Sequence, residues 1–308
     1  MRIIDYYDSE KQEHWLEEIK KSDWSAGRYL YELIKKDGLK ELCGGSTKVL
    51  LLVDDEELVS FCTYAEQDDV REPSLTPWVG FVYTFPQHRG HRYVGMLLNY
   101  AHFLARNDRH PYIYISTGET GLYEKYGYTF WKAMKDTGGE DSRVYRRRVS
   151  DVEYAVRPIA EEEISLLEEF LYEAIFITEG TQPPGREIIR RPELQVYIDG
   201  FGTGRADHGL VADADGRIVG AVWARIMDDY GHVDDETPSL AISLLPEYRN
   251  KGIGTALMLG MLDLLRNYGY KKVALAVQKA NYAVKMYESV GFRAVGENEE
   301  EYIMVCGL

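Results

Sequence analysis

Ten consecutive residues, Pro246-Glu247-Tyr248-Arg249-Asn250-Lys251-Gly252-Ile253-Gly254-Thr255, combine the residue types that hold a phosphate. They join an apolar, β-prone run, LAISLL, to a helix-period segment, TALMLGMLDLLRNYG. The first backbone N–H groups of a helix have no partner within it, and with the helix dipole they form an anion site. Gly252 and Gly254 remove side chains that would keep a pyrophosphate at a distance. Arg249 and Lys251 add positive charge, and Thr255 adds a hydroxyl donor. A glycine-bearing turn that merely starts a helix has the same outline. A dinucleotide fold calls for G-x-G-x-x-G after the first strand of a βαβ unit. Here Leu257 takes the place of the third glycine, and the motif comes late in its half of the chain. The Walker pattern G-x-x-x-x-G-K-[ST] is absent.

Two further groups could do chemistry. Downstream, N-Y-A-V-K-M-Y-E-S-V-G-F spaces Asn281 and Tyr287 along a helix. Asn281 suits a helix N-cap, and Gly291-Phe292 reads as a glycine stop followed by a core aromatic. In a chain with 24 tyrosines, one tyrosine on a helix is ordinarily core. Upstream, DDYGHVDDETPSL carries His232, Asp234, Asp235 and Glu236 to the entry of LAISLL, where a solvated acidic hairpin is the plainer account.

Composition narrows the partners. The chain has 308 residues and a formal net charge of −15. That charge argues against nucleic acid, whose phosphates need clustered Lys and Arg. It is compatible with a cationic small molecule, although acidity also serves solubility. Cys43, Cys62 and Cys306 form no metal-ligand spacing and no disulfide framework, so neither a metal nor an oxidising compartment is implied. No apolar run is long enough for a membrane helix, and MRIIDYYDSE lacks the features of a signal peptide. A cytoplasmic protein is the expectation.

The elements that must position these residues occur twice. GFVYTFPQHRGHRYVGMLLNYA around Pro86 repeats the plan of LAISLLPEYRNKGIGTALMLGM around Pro246. ISTGETGLYEKYGY near Tyr123 repeats that of VQKANYAVKMYESVGF near Tyr287. Each copy reads strand, turn, helix, strand, helix. The boundary falls where SRVYRRRV gives way to SDVEYAVRPI, dividing the chain into 1–150 and 151–308. IAEEEISLLEEFLYEAI reads as one amphipathic helix, and TEGTQPPGREIIRRPE as a break. Asp215-Gly216 joins two apolar runs as a hairpin, and KVLLLVDDEELVSFCTYA is its counterpart. Strands followed by a helix–strand–helix tail suggest an α/β layer with a mixed sheet.

R-N-K-G-I-G-T resembles the [RQ]-x-x-G-x-[GA] signature of the GNAT superfamily of N-acetyltransferases, and N-Y-A-V-K-M-Y-E-S-V-G-F resembles that superfamily's last helix and turn. The first half resembles it too. The resemblance implies an α/β (α+β) chain of two GNAT folds in tandem, each a mixed, mostly antiparallel sheet flanked by helices. It implies an N-acetyltransferase that moves acetyl from acetyl-CoA, by direct attack, to an amine of a small molecule or peptide, without a metal. By this resemblance the pantetheine arm lies along Ile242, Ser243 and Leu244, and a backbone N–H near Leu244 meets the thioester oxygen. The adjacent KKVALAVQ strand is expected to splay away there. Arg249, Asn250, Lys251, Gly252, Ile253, Gly254 and Thr255 hold the pyrophosphate. Asn281 touches the cofactor, Tyr287 is the general acid and Glu236 the candidate base. Tyr172, Glu173 and Phe176 are expected to line the acceptor site.

In the first half the matching cofactor positions are Val82, Tyr83, Thr84, Arg89, Gly90, His91, Arg92 and Gly95, with Tyr123 as the acid. Arg92 and Val94 stand where the second half has Gly252 and Gly254, and Thr117 replaces the asparagine. Asp68, Asp69 and Glu72 read as an exposed loop or as acceptor groups, and His88 and His91 as flanks of the loop. Two working lobes remain one reading. The other is one catalytic lobe beside an acyl-CoA-sensing or structural one. The acceptor and the oligomeric state, a homodimer included, stay open.

Overall fold

The computed structural model describes residues 1–149, 152–178 and 180–308. The chain divides into two compact units, Met1–Ser150 and Asp151–Leu308. Positions 150 and 151, where the sequence boundary was drawn, lie outside the described residues.

The first unit runs β1 (Arg2–Asp5), α1 (Gln12–Lys20), α2 (Ser25–Lys35), α3 (Leu39–Cys43), β2 (Lys48–Asp54), β3 (Glu57–Ala65), β4 (Trp78–Thr84), α4 (Tyr93–Asn107), β5 (Tyr112–Thr117), β6 (Thr129–Lys135) and β7 (Asp141–Arg148). Its sheet has the order β1-β2-β3-β4-β5-β7-β6. Among the described residues only the β4–β5 pair is parallel. The run KVLLLVD of β2 is apolar throughout because both faces of the sheet are covered. Leu50 and Leu52 belong to the core under α4, and Val49, Leu51 and Val53 to the core under α1 and α2.

The second unit repeats this plan. It runs β8 (Ala155–Pro158), α5 (Leu167–Ala174), α6 (Pro192–Gln195), β9 (His208–Ala214), β10 (Arg217–Arg225), β11 (Ser239–Leu244), α7 (Ile253–Asn267), β12 (Lys272–Gln278), α8 (Val284–Ser289), β13 (Arg293–Glu297) and β14 (Glu301–Gly307). The strand order β13-β14-β12-β11-β10-β9-β8 is that of the first sheet displaced by seven strands, again with one parallel pair, β11–β12. Asp215 (φ 52°) and Gly216 (φ 82°) both take the left-handed conformation and close the β9–β10 hairpin. A two-residue turn of this kind matches the twist of its strands.

Two expectations need correction. The stretch from Ile164 to Ile175 is not one α-helix: a 3-10 segment at Glu161–Leu166 precedes α5. Glu163 reaches back to the Ala160 N–H at 2.9 Å and also binds Arg157, which ties this entry down and holds it tightly wound. In the first unit the second helix of the repeat is only a 3-10 turn, Tyr123–Tyr126. Gly121 and Gly127, both at positive φ, leave too few residues between them for a regular helix.

Candidate active site

β11 and β12 start side by side and then part. Their ladder registers one pair, Ser239 with Ala274. Beyond it, Ile242 to Leu244 keep β10 as their neighbour on one side and face a gap on the other. The N–H of Leu245 bonds back to Val219 of β10 at 3.0 Å. Successive N–H groups of a strand point to opposite edges, so that of Leu244 points into the gap. Ser243 is buried, and its hydroxyl donates to the Phe170 carbonyl of α5 at 2.6 Å, fixing that helix over the strand.

The loop after β11 launches α7. Asn250 (φ 60°) and Gly252 (φ 78°) are left-handed, and a Cβ built on Gly252 meets nothing within 4 Å. A Cβ on Gly254 would lie 3.2 Å from the Leu244 side chain. Arg249 holds the loop to the strand: its Nε donates to the Leu244 carbonyl at 3.0 Å, and its Nη2 meets Glu173 of α5 at 2.7 Å. The guanidinium is therefore engaged by α5 as well as facing the loop cavity.

Two cavities flank the gap. One, of about 760 Å³, is lined by Ile242, Ser243, Leu244, Arg249, Asn250, Gly252, Gly254, Thr255 and Asn281, with Tyr172, Glu173 and Pro183 as its cover. The other, of about 730 Å³, lies under α5 and α6 and ends on the β13–β14 turn. Phe176, Ile242, Asn281 and Tyr287 line both. α8 places Tyr287 there. Asn281 accepts the Ala283 N–H at 2.9 Å just before the helix. The N–H of Phe292 closes on the Tyr287 carbonyl at 3.0 Å after Gly291 (φ 113°). Tyr287 is only 8% exposed, and burial raises its phenol pKa. Its hydroxyl has no hydrogen-bond partner among the described residues.

The first unit builds the same loop. Arg89 donates Nε to the Thr84 carbonyl at 3.0 Å, and Gly90 (φ 88°) and Arg92 (φ 59°) are left-handed. The strand differs: Phe81 (φ 49°) sits in a bulge of β4 opposite β3. β4 and β5 also register a single pair, Trp78 with Tyr114.

Residues 173–292 match the model described as the Acetyltransferase (GNAT) family, and residues 22–131 match that of an Acetyltransferase (GNAT) domain. An N-alpha-acetyltransferase of Sulfurisphaera tokodaii is 30% identical over 115 residues, covering 32% of this chain and 68% of that protein. One of Saccharolobus solfataricus is 31% identical over 121 residues, covering 33% and 72%.

The chain belongs to the GNAT acetyltransferase family.

It is an acetyl-CoA-dependent N-acetyltransferase built of two GNAT domains. Among solved structures, the paiA N-acetyltransferase of Thermoplasma acidophilum in complex with coenzyme A is similar, at 20% identity and TM-score 0.38, covering 51% of this chain and 100% of that one. No helix is long and apolar enough to cross a membrane among the described residues. Nor do those residues hold a group of three or more His, Cys, Asp or Glu that could bind a metal.

Within this GNAT frame the expected residues fall into groups. The cavity beside the α7 loop gathers every residue expected from the second loop except Lys251 and Ile253. Lys251 is exposed, its ammonium 5.4 Å from the Tyr248 ring, and Ile253 is fully buried in the core. Glu236 is exposed and lines neither cavity. Asp234 explains why: it accepts the Thr237 hydroxyl and the Glu236 N–H and pairs with Lys272 at 2.6 Å, pinning the turn with Glu236 outward.

In the first GNAT domain Val94 packs against the core. Gly95 is buried, and a Cβ there would lie 2.7 Å from the Tyr126 ring. The N–H of Gly95 is taken by the Arg92 carbonyl at 2.8 Å. Tyr83 is buried, donating its hydroxyl to Asp23 at 2.6 Å, and Val82 is partly buried. His91 stacks on Tyr93 at 5.3 Å, and His88 meets Glu57 at 2.8 Å. Tyr123 is 6% exposed, with its phenol pKa raised by burial.

The sequence missed two features. Asp68 is partly buried rather than an exposed loop residue, and its Oδ1 lies 2.8 Å from where a Cβ on Gly80 would stand. A glycine inside the β-prone run of β4 was the available signal. The run Glu-Asn-Glu-Glu-Glu at 297–301, unremarkable as a charged turn, supplies Asn298 to Glu301 to the second cavity.

Proposed function

We propose that the C-terminal unit carries the transfer, with acetyl-CoA in the cavity beside the α7 loop and the acceptor amine in the cavity under α5 and α6. What supports this most is that the two cavities share Ile242, Asn281 and Tyr287 at the parting of β11 and β12. Acetyl-CoA supplies an activated acyl group whose leaving thiolate needs a proton. The N-terminus of α7, with Gly252 and Gly254, receives the pyrophosphate. The Leu244 N–H donates to the thioester oxygen. Tyr287 is the general acid that protonates the departing thiolate; the proton shed by the attacking nitrogen passes to solvent, from which Tyr287 is reprotonated. Its pKa, raised above the usual value of about 10, keeps the phenol protonated at neutral pH. Transfer to a thiolate, whose thiol has a pKa of about 8.5, is uphill in water. The same apolar burial also makes the thiolate more basic, which narrows the gap. The relatives named N-alpha-acetyltransferases support an amine acceptor.

Replacing Tyr287 by Phe and following thiol release is the test. kcat falls at least about 100-fold, the lower range for a lost general acid, while the KM for acetyl-CoA moves a few-fold. An unchanged kcat across pH overturns the role. A second reading, in which the N-terminal unit is a structural or acyl-CoA-sensing lobe, is favoured by the Tyr126 ring against Gly95 and by the guanidinium at Arg92. In that reading Tyr123→Phe leaves turnover intact.

A further inference from the structure

The cavity under α5 and α6 has an uneven charge. Four carboxylates line it, Glu193 from α6 and Glu299, Glu300 and Glu301 from the β13–β14 turn, against a single cation, Arg191. The turn is stiff: Asn298 Oδ1 accepts the N–H groups of Glu300 and Glu301 at 2.9 and 2.7 Å. The nearby Lys279 pairs with Glu297 instead, and none of the four carboxylates has an ion-pair partner among the described residues. The same cavity is lined by Tyr287, a residue 8% exposed whose hydroxyl has no partner among the described residues. Apolar side chains make up much of the remaining wall, Leu171, Ile188, Leu194 and Leu275 among them, and Tyr230 adds an exposed ring.

We propose that the acceptor is an elongated aliphatic amine with a second positive charge, a free di- or polyamine. One nitrogen is presented at Tyr287, the methylenes lie on the apolar wall, and the far ammonium rests among Glu299, Glu300 and Glu301. A desolvated alkyl chain favours this wall, and an ammonium at its end meets unpaired carboxylates and an aromatic face. The inference rests on the assignment of this cavity to the acceptor.

Thiol release is measured with 1,4-diaminobutane and with 1-aminobutane, which differ by the second charge alone. The diamine has a kcat/KM at least tenfold higher, and the preference shrinks as salt is added. The triple variant Glu299→Gln, Glu300→Gln, Glu301→Gln raises the KM for the diamine at least tenfold, with kcat and the monoamine constants within about threefold. Calorimetric titration of 1,4-diaminobutane into the protein with coenzyme A present reads the same loss without turnover. Equal efficiency for the two amines, or a preference unaffected by the triple variant, overturns the inference and leaves the transferase assignment standing. A peptide of the same charge that outruns the diamine tenfold also overturns it. If acetyl-CoA fails to bind and no amine releases thiol, the cavity assignment falls and this inference with it.

Discussion

The two phosphate-type loops follow one path with different clearances. In each, an arginine Nε holds the last carbonyl of the strand at 3.0 Å, and two left-handed residues two positions apart precede the helix. In the second unit these are Asn250 and Gly252; in the first they are Gly90 and Arg92. A left-handed non-glycine residue costs roughly 1–2 kcal/mol, yet Arg92 accepts it. The path is therefore common to both units whether or not glycine fills its second left-handed position. Open space above the helix start is what a ligand requires, and that space is kept at Gly252, where a Cβ would meet nothing.

Exchanging the loop side chains gives the largest expected effect on this contrast. Gly252→Arg combined with Gly254→Val writes the first loop into the second. Coenzyme A binding to the C-terminal unit, read by calorimetry, weakens at least about 30-fold, or about 2 kcal/mol. The fold survives, since the Cβ added at Gly254 would press on the Leu244 side chain at 3.2 Å, a distance that a small shift relieves. A melting curve checks this. Unchanged affinity would break the comparison, because the clearance would then be irrelevant to the ligand.

Much of this was legible in the sequence, for physical reasons. The loop, the hairpin at Asp215-Gly216 and the apolar run of β2 each follow from local backbone or solvent constraints, which act over a few residues. The parting of β11 and β12 was legible only through the resemblance. The placement of Glu236 was not, because the side chain of Asp234 decides it by capturing Thr237 and the distant Lys272. Nor were the carboxylates at 299–301: a turn of glutamates looks solvated until α6, far away in sequence, is brought to face it. Asp68 was hidden in the same way, since only the fold lays it over Gly80.

Asp68 gives the second, smaller effect. β3 and β10 are each followed by an Asp-Asp pair, 68–69 and 228–229. In the second unit Asp229 accepts hydroxyls from Tyr197 and Ser239, each at 2.7 Å. Asp68 has the Asp69 N–H, and burial, with Asp69 second, pushes its pKa up to about 7. The unfolded chain ionises this group near pH 4. The folded unit therefore keeps a proton that the unfolded chain releases, so stability present below about pH 4 is lost as pH rises towards 7 and is level beyond. Asp68→Asn removes the loss. At pH 8 the unfolding free energy of the N-terminal unit, read from urea titration, rises by at least about 1 kcal/mol, and the gain vanishes below about pH 4. A gain equal at both pH values would show that packing, not ionisation, separates Asp68 from Asp229.

The arginine anchors give the smallest effect and the sharpest sign. Arg249 and Glu173 are 33% and 17% exposed and 2.7 Å apart, whereas Arg89 and Asp23 are 56% and 66% exposed and 3.9 Å apart. An exposed pair of the second kind contributes almost nothing, and a half-buried one about 1 kcal/mol. Asp23→Asn accordingly changes neither coenzyme A affinity nor turnover. Glu173→Gln has two opposed consequences. It loosens the end of α5, which covers the cofactor-side cavity, and it frees positive charge on Arg249. The Leu244 carbonyl still holds the Nε of Arg249, and the amide that replaces the Glu173 carboxylate can still accept one hydrogen bond. The freed charge therefore stays where it was, and the loosened cover dominates. The KM for acetyl-CoA then rises about threefold, or about 0.7 kcal/mol, with kcat little changed. A fall in KM would reverse the sign. Glu173 would then be withholding Arg249 from the pyrophosphate, and the weaker ion pair of the first unit would leave its arginine the freer phosphate ligand.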